Sequence, residues 1–414
     1  MVNQGGHAQG DGNCRGDSSF SRRLERNSPM VAAKGEARNS KGTKKPRLPS
    51  IPEDQDDKKI WDGYGDDRDL SSLIPGIGRD NSISCVLRCS RSDYGVVAAL
   101  NRSFRDLVRS GEIYRLRQKE GITEDWIYLS CGINEWVAYN PIRHQWINLP
   151  NLISEDVFAF SDKEAMAIGT DLLVFGKDMT SHIVHKYSHL TNSWSRGTPL
   201  GMPRCLFGHA SMGHIGIVAG GCRSVTQVYS YVEMYDLETD TWTRLPDMNK
   251  ARRLSSAVFL DGKFYVVGGI DADRNFLRCA EVYDLKTKHW QVIPDMLPER
   301  MMNDLGISGA PSLLAVVNNE LYCANHTKME LRKYDMARNR WSVVGHLPGA
   351  EGSPGWGVAF KGCGSCAVFV TRPRVFAQTV ALYRWDPREE TPRWVCLGEG
   401  PRSAFVFNCA VMRC

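Results

Sequence analysis

The sequence predicts a mainly β protein: a six-bladed β-propeller, preceded by a small three-helix module and a disordered N-terminal tail. Two observations carry the larger part: tryptophans that recur at blade length, and twin glycines that end two of the repeated apolar strands. A third, an apolar stripe at helical spacing between Ser92 and Gly111, carries the smaller part.

The chain of 414 residues exceeds the usual size of a single core, so more than one structural unit is expected. Its 42% hydrophobic and 24% charged residues are ordinary for a globular protein. A net charge of +5 is small for this length and gives no concentrated basic face, so nucleic acid is not expected as a partner. Thirteen cysteines, an odd number, sit mostly in apolar runs such as Leu321-Tyr322-Cys323 and read as reduced, buried small hydrophobes. The stretch Met1 to Asp11 is polar, without the apolar centre of a signal peptide. No run approaches the roughly 18 apolar residues of a membrane span. The expectation is a soluble protein of the nucleus, the cytoplasm or both, with no membrane partner.

Residues 1–69 lack hydrophobic periodicity and are expected to be disordered, because they bury too little surface to offset chain entropy. Residues 1–47 hold ten Lys/Arg against four Asp/Glu, and residues 48–69 reverse the sign with eight acids against three bases. The cluster Lys44-Lys45-Pro46-Arg47 fits either a nuclear import signal or a solvated basic tail.

Residues 70–118 are expected to be helical. Asp80 can cap a short helix carrying Ile83, Val86 and Leu87. Ser92 or Asp93 can cap a longer one on which Val96, Leu100, Phe104, Leu107 and Val108 share a face. Gly111 stands where a left-handed cap takes glycine, and a third helix runs through Ile113, Tyr114 and Leu116.

Residues 119–414 repeat. Trp146, Trp194, Trp242, Trp290, Trp341 and Trp394 are spaced by 48, 48, 48, 51 and 53 residues. Seven residues before each of the first five stands a tyrosine: Tyr139, Tyr187, Tyr235, Tyr283 and Tyr334; Trp385 takes that role in the last unit. One full unit reads Ser255 to Leu260, the turn Asp261-Gly262, the strand Lys263 to Val267 ending at Gly268-Gly269, then Ala280 to Asp284 and Trp290. The preceding unit repeats it around Gly220-Gly221. Its strand Phe264 to Val267 is continuously apolar, as in a sheet covered on both faces. Four-stranded sheets at this period are propeller blades.

This region resembles the kelch repeat family, whose marks are the twin glycine, the Tyr-Asp and the spaced Trp. The match is strong around Gly220-Gly221 and Gly268-Gly269; Gly176 stands alone in the second unit, and Cys323-Ala324-Asn325 occupies the place in the fifth. The repeated Tyr and Trp residues read as packing. The first unit, Ile127 to Leu149, has three strands, and the tail Ala404 to Val411 is a spare one, so the tail is expected to complete the first blade and close the ring.

The segment Leu70 to Arg117 resembles the F-box. The matching pieces are Leu73-Ile74-Pro75, Ile83-Ser-Cys-Val86-Leu87 and Val97 to Val108, with Phe104 where the family usually carries Trp. The longer string from Gly76 through Arg117 is similar to the plant F-box/kelch group. The resemblance implies docking to a Skp-type adaptor and through it to a cullin, with Leu73, Ile74, Pro75, Ile83, Val86 and Leu87 forming the apolar surface that meets the adaptor. It implies a substrate-recognition subunit of a ubiquitin ligase whose propeller binds a target protein. The alternative is a kelch scaffold in which the helices only cap the propeller.

Ten residues after three successive repeat tryptophans stand Arg204, Arg252 and Arg300, while the first and fifth units carry Asp156 and Glu351 there. Those arginines are candidates for gripping an acidic or phosphorylated target segment, or for structural support. The polar loops Arg223 to Tyr229, Asp271 to Arg278 and Arg372 to Gln378 are further candidates.

Catalytic patterns are weak. His182 and His185 are three apart on a strand, which points them to opposite faces, and Cys363-Gly-Ser-Cys366 is a lone pair that reads as a tight hairpin. No Gly-Lys-Ser/Thr phosphate loop, His-Glu-x-x-His or Gly-x-Ser-x-Gly motif is present. No catalytic residue, metal or cofactor is therefore expected, and a metal-dependent propeller enzyme is the weakest of the three readings.

Overall fold

A computed structural model describes residues 73–413, except 133, 155, 299–308, 352–354 and 404. The expected tail, with Lys44-Lys45-Pro46-Arg47, lies outside the described residues, and so does Arg300.

Six four-stranded antiparallel sheets make the propeller. The second blade is β4 (Glu164–Ile168), β5 (Asp171–Lys177), β6 (His182–Ser188) and β7 (Ser193–Arg196). The third is β8 (Gly208–Met212), β9 (Ile215–Ala219), β10 (Val232–Asp236) and β11 (Thr241–Leu245). The fourth is β12 (Ser256–Leu260), β13 (Lys263–Val267), β14 (Ala280–Asp284) and β15 (His289–Ile293). The fifth is β16 (Leu313–Val317), β17 (Glu320–Asn325), β18 (Glu330–Asp335) and β19 (Arg340–His346). The sixth is β20 (Ala359–Cys363), β21 (Cys366–Thr371), β22 (Ala381–Trp385) and β23 (Val395–Glu399).

The first blade is made from both ends of the repeat. To β1 (Asp125–Ser130), β2 (Trp136–Asn140) and β3 (Gln145–Asn148) is added β24 (Asn408–Arg413), in the order β24-β1-β2-β3. The register runs from Asp125 opposite Arg413 to Ser130 opposite Asn408. The expected closure is therefore observed: β24, β4, β8, β12, β16 and β20 touch in cyclic order around the axis.

Why the second strand of a blade is apolar throughout is visible in β13. Phe264 and Val266 pack with Ile217, Ala219 and Tyr283 toward the third blade. Tyr265 and Val267 pack with Leu314 and Leu321 toward the fifth. Alternate side chains thus enter two different inter-blade cores.

The repeated Tyr and Trp are packing residues, as expected. Tyr235 lies opposite Trp242 across β10 and β11, with ring centroids 5.1 Å apart. The indole N–H then reaches the preceding blade: Trp194 donates to the Pro150 carbonyl at 2.8 Å, Trp242 to Thr198 at 3.0 Å, and Trp290 to Pro246 at 2.8 Å. Trp146 donates to the Glu399 carbonyl at 3.1 Å, fastening the first blade to the sixth. Two of the tyrosine hydroxyls also meet a left-handed residue of their own hairpin turn, Tyr187 at Asn192 (2.9 Å) and Tyr334 at Asn339 (2.7 Å), with φ of 49° and 47°.

The lone Gly176 has its own reason. A short helix, Asp156–Phe160, lies in the connection from the first blade to the second and inserts Phe158, fully buried. A Cβ on Gly176 would stand 2.5 Å from that ring.

Ahead of the propeller come α1 (Arg79–Leu87), a 3₁₀ turn (Arg91–Asp93), α2 (Tyr94–Leu100), α3 (Arg102–Arg109) and α4 (Glu112–Lys119). The long helix expected from Ser92 to Gly111 is two helices. Asn101 is extended, with φ −161° and ψ 177°, and its side chain accepts the Phe104 amide at 2.9 Å, so it caps α3. The apolar stripe breaks there: Phe104, Leu107 and Val108 are buried, while Val96 and Leu100 are 69% and 65% exposed. Gly111 is left-handed, as expected. No helix among the described residues is long and apolar enough to cross a membrane.

Candidate functional site

In an antiparallel blade the turns between first and second strands, and between third and fourth, share one end. The second-to-third loops and the links to the next blade share the other. The helical module sits at the first end. His189 and Leu190, in the turn between β6 and β7, pack against Arg91 and Gly111. Arg143, in the turn between β2 and β3, pairs with Asp93 at 2.7 Å.

The junction is a buried polar network. Arg91 is 2% exposed and stacks 4.6 Å above the Trp126 ring. Its Nε donates to His189 at 2.7 Å and its Nη2 to the Tyr128 hydroxyl at 2.5 Å. Glu124 accepts from the Arg91 amide (2.9 Å), Arg117 Nη2 (2.9 Å), Ser90 (3.2 Å) and Trp126 Nε1 (3.3 Å). Arg117 also donates to the Leu87 and Cys89 carbonyls. Loss of water, and then the Arg91 charge, hold the His189 imidazole well below the usual histidine range, so it is neutral. The helices are thus seated rigidly on the first and second blades. Sequence reasoning missed this network; an arginine and a glutamate flanking the helices were its only visible signal.

At the opposite end lie the loops Arg223 to Tyr229, Asp271 to Arg278 and Arg372 to Gln378, all between the second and third strands of their blades. They now share one face. Val225, Phe276, Val375 and Phe376 are exposed there, Phe376 by 91%, beside the exposed cations Arg223, Arg274 and Arg374. Such a mixture of apolar anchors and cations suits a protein surface better than a small ligand.

Arg204 and Arg252 are not on that surface, which corrects their reading as target-binding residues. The guanidinium of Arg204 is buried against Glu233, and its Nε donates to the Gly220 carbonyl at 2.8 Å. Arg252 pairs with Glu281 at 2.6 Å and donates to the Gly268 carbonyl at 2.8 Å. The carboxylates in turn accept the Gly201 amide (2.7 Å) and the Asn249 amide (2.6 Å). Each pair ties an inter-blade link to a twin-glycine turn. Gly221 and Gly269 are left-handed, at φ 94° and 97°, and a Cβ there would meet the Cys205 and Arg253 carbonyls at 2.6 and 2.8 Å.

The residues expected to meet an adaptor are mostly inside. Leu73, Ile83, Val86 and Leu87 are buried in the core of the helical module, Ile74 is half-buried, and only Pro75 is exposed. With α2 and α3 broken apart, the large apolar side chains exposed on the module, among the described residues, are Val96 and Leu100, and Ile77 at 37%.

Of the motifs weighed for chemistry, Cys363-Gly-Ser-Cys366 is the tight hairpin expected, with Cys363 opposite Cys366 and Gly364 left-handed. His182 and His185 are half-buried on β6. Among the described residues no group of three or more His, Cys, Asp or Glu converges to hold a metal.

The Kelch motif model matches residues 203–249 and 251–297, the third and fourth blades. The F-box/kelch-repeat protein SKIP11 of Arabidopsis thaliana is 50% identical over 362 residues, covering 85% of this chain and 78% of that protein. The chain belongs to the F-box/kelch-repeat family. A second F-box/kelch-repeat protein of the same plant is 47% identical and covers 86% of this chain and 87% of its own length. The solved structure of YjhT aligns with a TM-score of 0.50 and 13% identity, over 66% of this chain and 95% of that one. At that identity the likeness concerns the fold alone. In this F-box/kelch-repeat protein the helices lie at one end of the propeller and the exposed second-to-third-strand loops at the other.

Proposed function

We propose that this F-box/kelch-repeat protein is the substrate-recognition subunit of a Skp–cullin–F-box ubiquitin ligase. The helical module docks the Skp adaptor, and the loop face opposite binds the target protein. No residue of this chain performs the ubiquitin chemistry; its contribution is to raise the local concentration of target lysines near the conjugating enzyme.

The observation that carries the reading is the polarity of the domain. An exposed apolar pair, Val96 and Leu100, lies one helical turn apart on a module rigidly fixed to one end of the ring. The exposed apolar and basic loops lie at the other end. A target held there would be presented at a fixed geometry.

The test is co-purification of the full chain with a Skp adaptor. Wild type is expected to bind, and Val96→Asp/Leu100→Asp to lose at least about tenfold in affinity, since charge enters an apolar interface. Because both side chains are exposed, unfolding stability should change by less than about 0.5 kcal/mol per site. A folded wild type that binds no adaptor would overturn the ligase reading and leave a kelch scaffold.

A further inference from the structure

Cys205 and Cys222 face each other across the link into the third blade. They form an isolated antiparallel bridge with both backbone bonds made, the Cys205 amide to the Cys222 carbonyl at 3.0 Å and the reverse at 2.8 Å. Residues paired this way have Cα atoms about 5.5 Å apart, at the centre of the range a disulfide spans. The Cys205 sulfhydryl also donates to the Cys222 carbonyl at 3.6 Å, so the Cys205 sulfur lies over its partner.

The fold does not demand sulfur here. In the next blade the same bridge is made by Arg253 and Ile270, with the same two backbone bonds at 3.0 and 2.8 Å. Packing alone would accept other residues at both positions.

The two thiols differ. The adjoining Cys205 thiol, and then the Arg253 charge, draw the Cys222 thiol below its ordinary range against burial and the nearby Glu164 and Asp162. The adjoining Cys222 thiol, with burial, holds Cys205 protonated despite His182. The bridge puts the two sulfurs side by side, and the Arg253 charge favours Cys222 as the attacking thiolate and Cys205 as the resolving thiol. Cys363 and Cys366 are the contrast: they face each other too, but both thiols are pushed up, and the Cys366 sulfur donates to Asp386 at 3.4 Å.

We propose that Cys205 and Cys222 are a modification site: a vicinal dithiol that hydrogen peroxide converts to a disulfide at the base of the Arg223 to Tyr229 loop. The Cys222 thiolate attacks peroxide and, with one proton taken up, becomes a sulfenic acid while water leaves. Cys205 sulfur then attacks that sulfur, its proton leaving with the hydroxyl as a second water. Peroxide is reduced, the two thiols are oxidised, and one S–S bond forms. The cross-link would join the link Arg204 to Phe207 to the root of a loop on the face opposite the helices.

The experiment treats the reduced full chain with graded hydrogen peroxide, blocks remaining thiols by alkylation and maps peptides without reduction by mass spectrometry. The expected product is a Cys205–Cys222-linked peptide, two hydrogens lighter than its parts, reversed by thiol reductant. It should appear at lower peroxide than any Cys363–Cys366 link and vanish in Cys222→Ser. Recovery of Cys205 and Cys222 as alkylated free thiols, at doses that oxidise the exposed Cys85 and Cys396, would overturn the proposal. So would a Cys222 oxidised beyond the sulfenic acid beside a free Cys205. The wild-type map decides the matter even if Cys222→Ser folds poorly.

Discussion

Arg252 is sealed from solvent, and only the company it keeps makes that tolerable for a guanidinium. Its guanidinium is fully buried against a fully buried Glu281, and it also donates to the Gly268 and Cys279 carbonyls. Removing one member strands the other's charge. Arg252→Ala is therefore expected to lower the free energy of unfolding by about 3–5 kcal/mol, measured by urea denaturation. Arg274→Ala, on an exposed loop, should stay within about 0.5 kcal/mol of wild type. If Arg252→Ala were equally silent, the structural role assigned to the buried pairs would be wrong. The sequence offered Arg204 and Arg252 at a repeated offset, and the repeat was right. Position in a repeat does not reveal whether an arginine head is free or enclosed, because the partners Glu233 and Glu281 lie 29 residues further on.

Among the elements, the break between α2 and α3 decides most about function. A periodic stripe running from Val96 to Val108 looks like one amphipathic helix. Asn101 instead caps α3 with its side chain, and the change of direction separates an exposed pair, Val96 and Leu100, from a buried trio, Phe104, Leu107 and Val108. Asn101→Ala should cost about 1 kcal/mol by removing the cap, and Asn101→Ser, which retains an oxygen acceptor, should recover most of it. Thermal unfolding of the two variants checks this; equal losses would mean the cap contributes nothing. The signal was present in the sequence as an asparagine three residues before Phe104. It was outvoted by the hydrophobic period, which extends through the break without interruption.

For the whole molecule the governing fact is closure. β24 supplies the innermost strand of a blade whose β1 lies far back in the chain, with Asp125 and Arg413 288 residues apart, and its six paired positions with β1 lock the ring. A chain ending before β24 leaves β1 as an unpaired inner edge and opens the two cores on either side of the first blade, which Ala410 and Met412 fill on one side and Val406 and Cys409 on the other. Removing residues 405–414 is thus expected to replace a single cooperative urea transition with an earlier, broader one and to promote aggregation. An unchanged transition would mean that the sixth blade closes on the first without this strand.

Much of this protein was legible because it is written locally and then repeated. The Tyr and Trp recur because each blade needs the same cross-strand pair and the same reach to its neighbour, so period, blade count and the closing strand follow from spacing alone. What repetition does not encode is contact between unlike parts. The seat of the helices joins Arg91, Arg117, Glu124, Tyr128 and His189, which no common spacing links. The single face shared by the exposed second-to-third-strand loops follows from strand direction in the folded blade, and the pairing of Cys205 with Cys222 from a bridge between two loops. Local patterns determine which elements form, since their energetics are set within a few turns or strands. Burial and partnership arise only when separate elements meet, and there the tertiary structure alone decided.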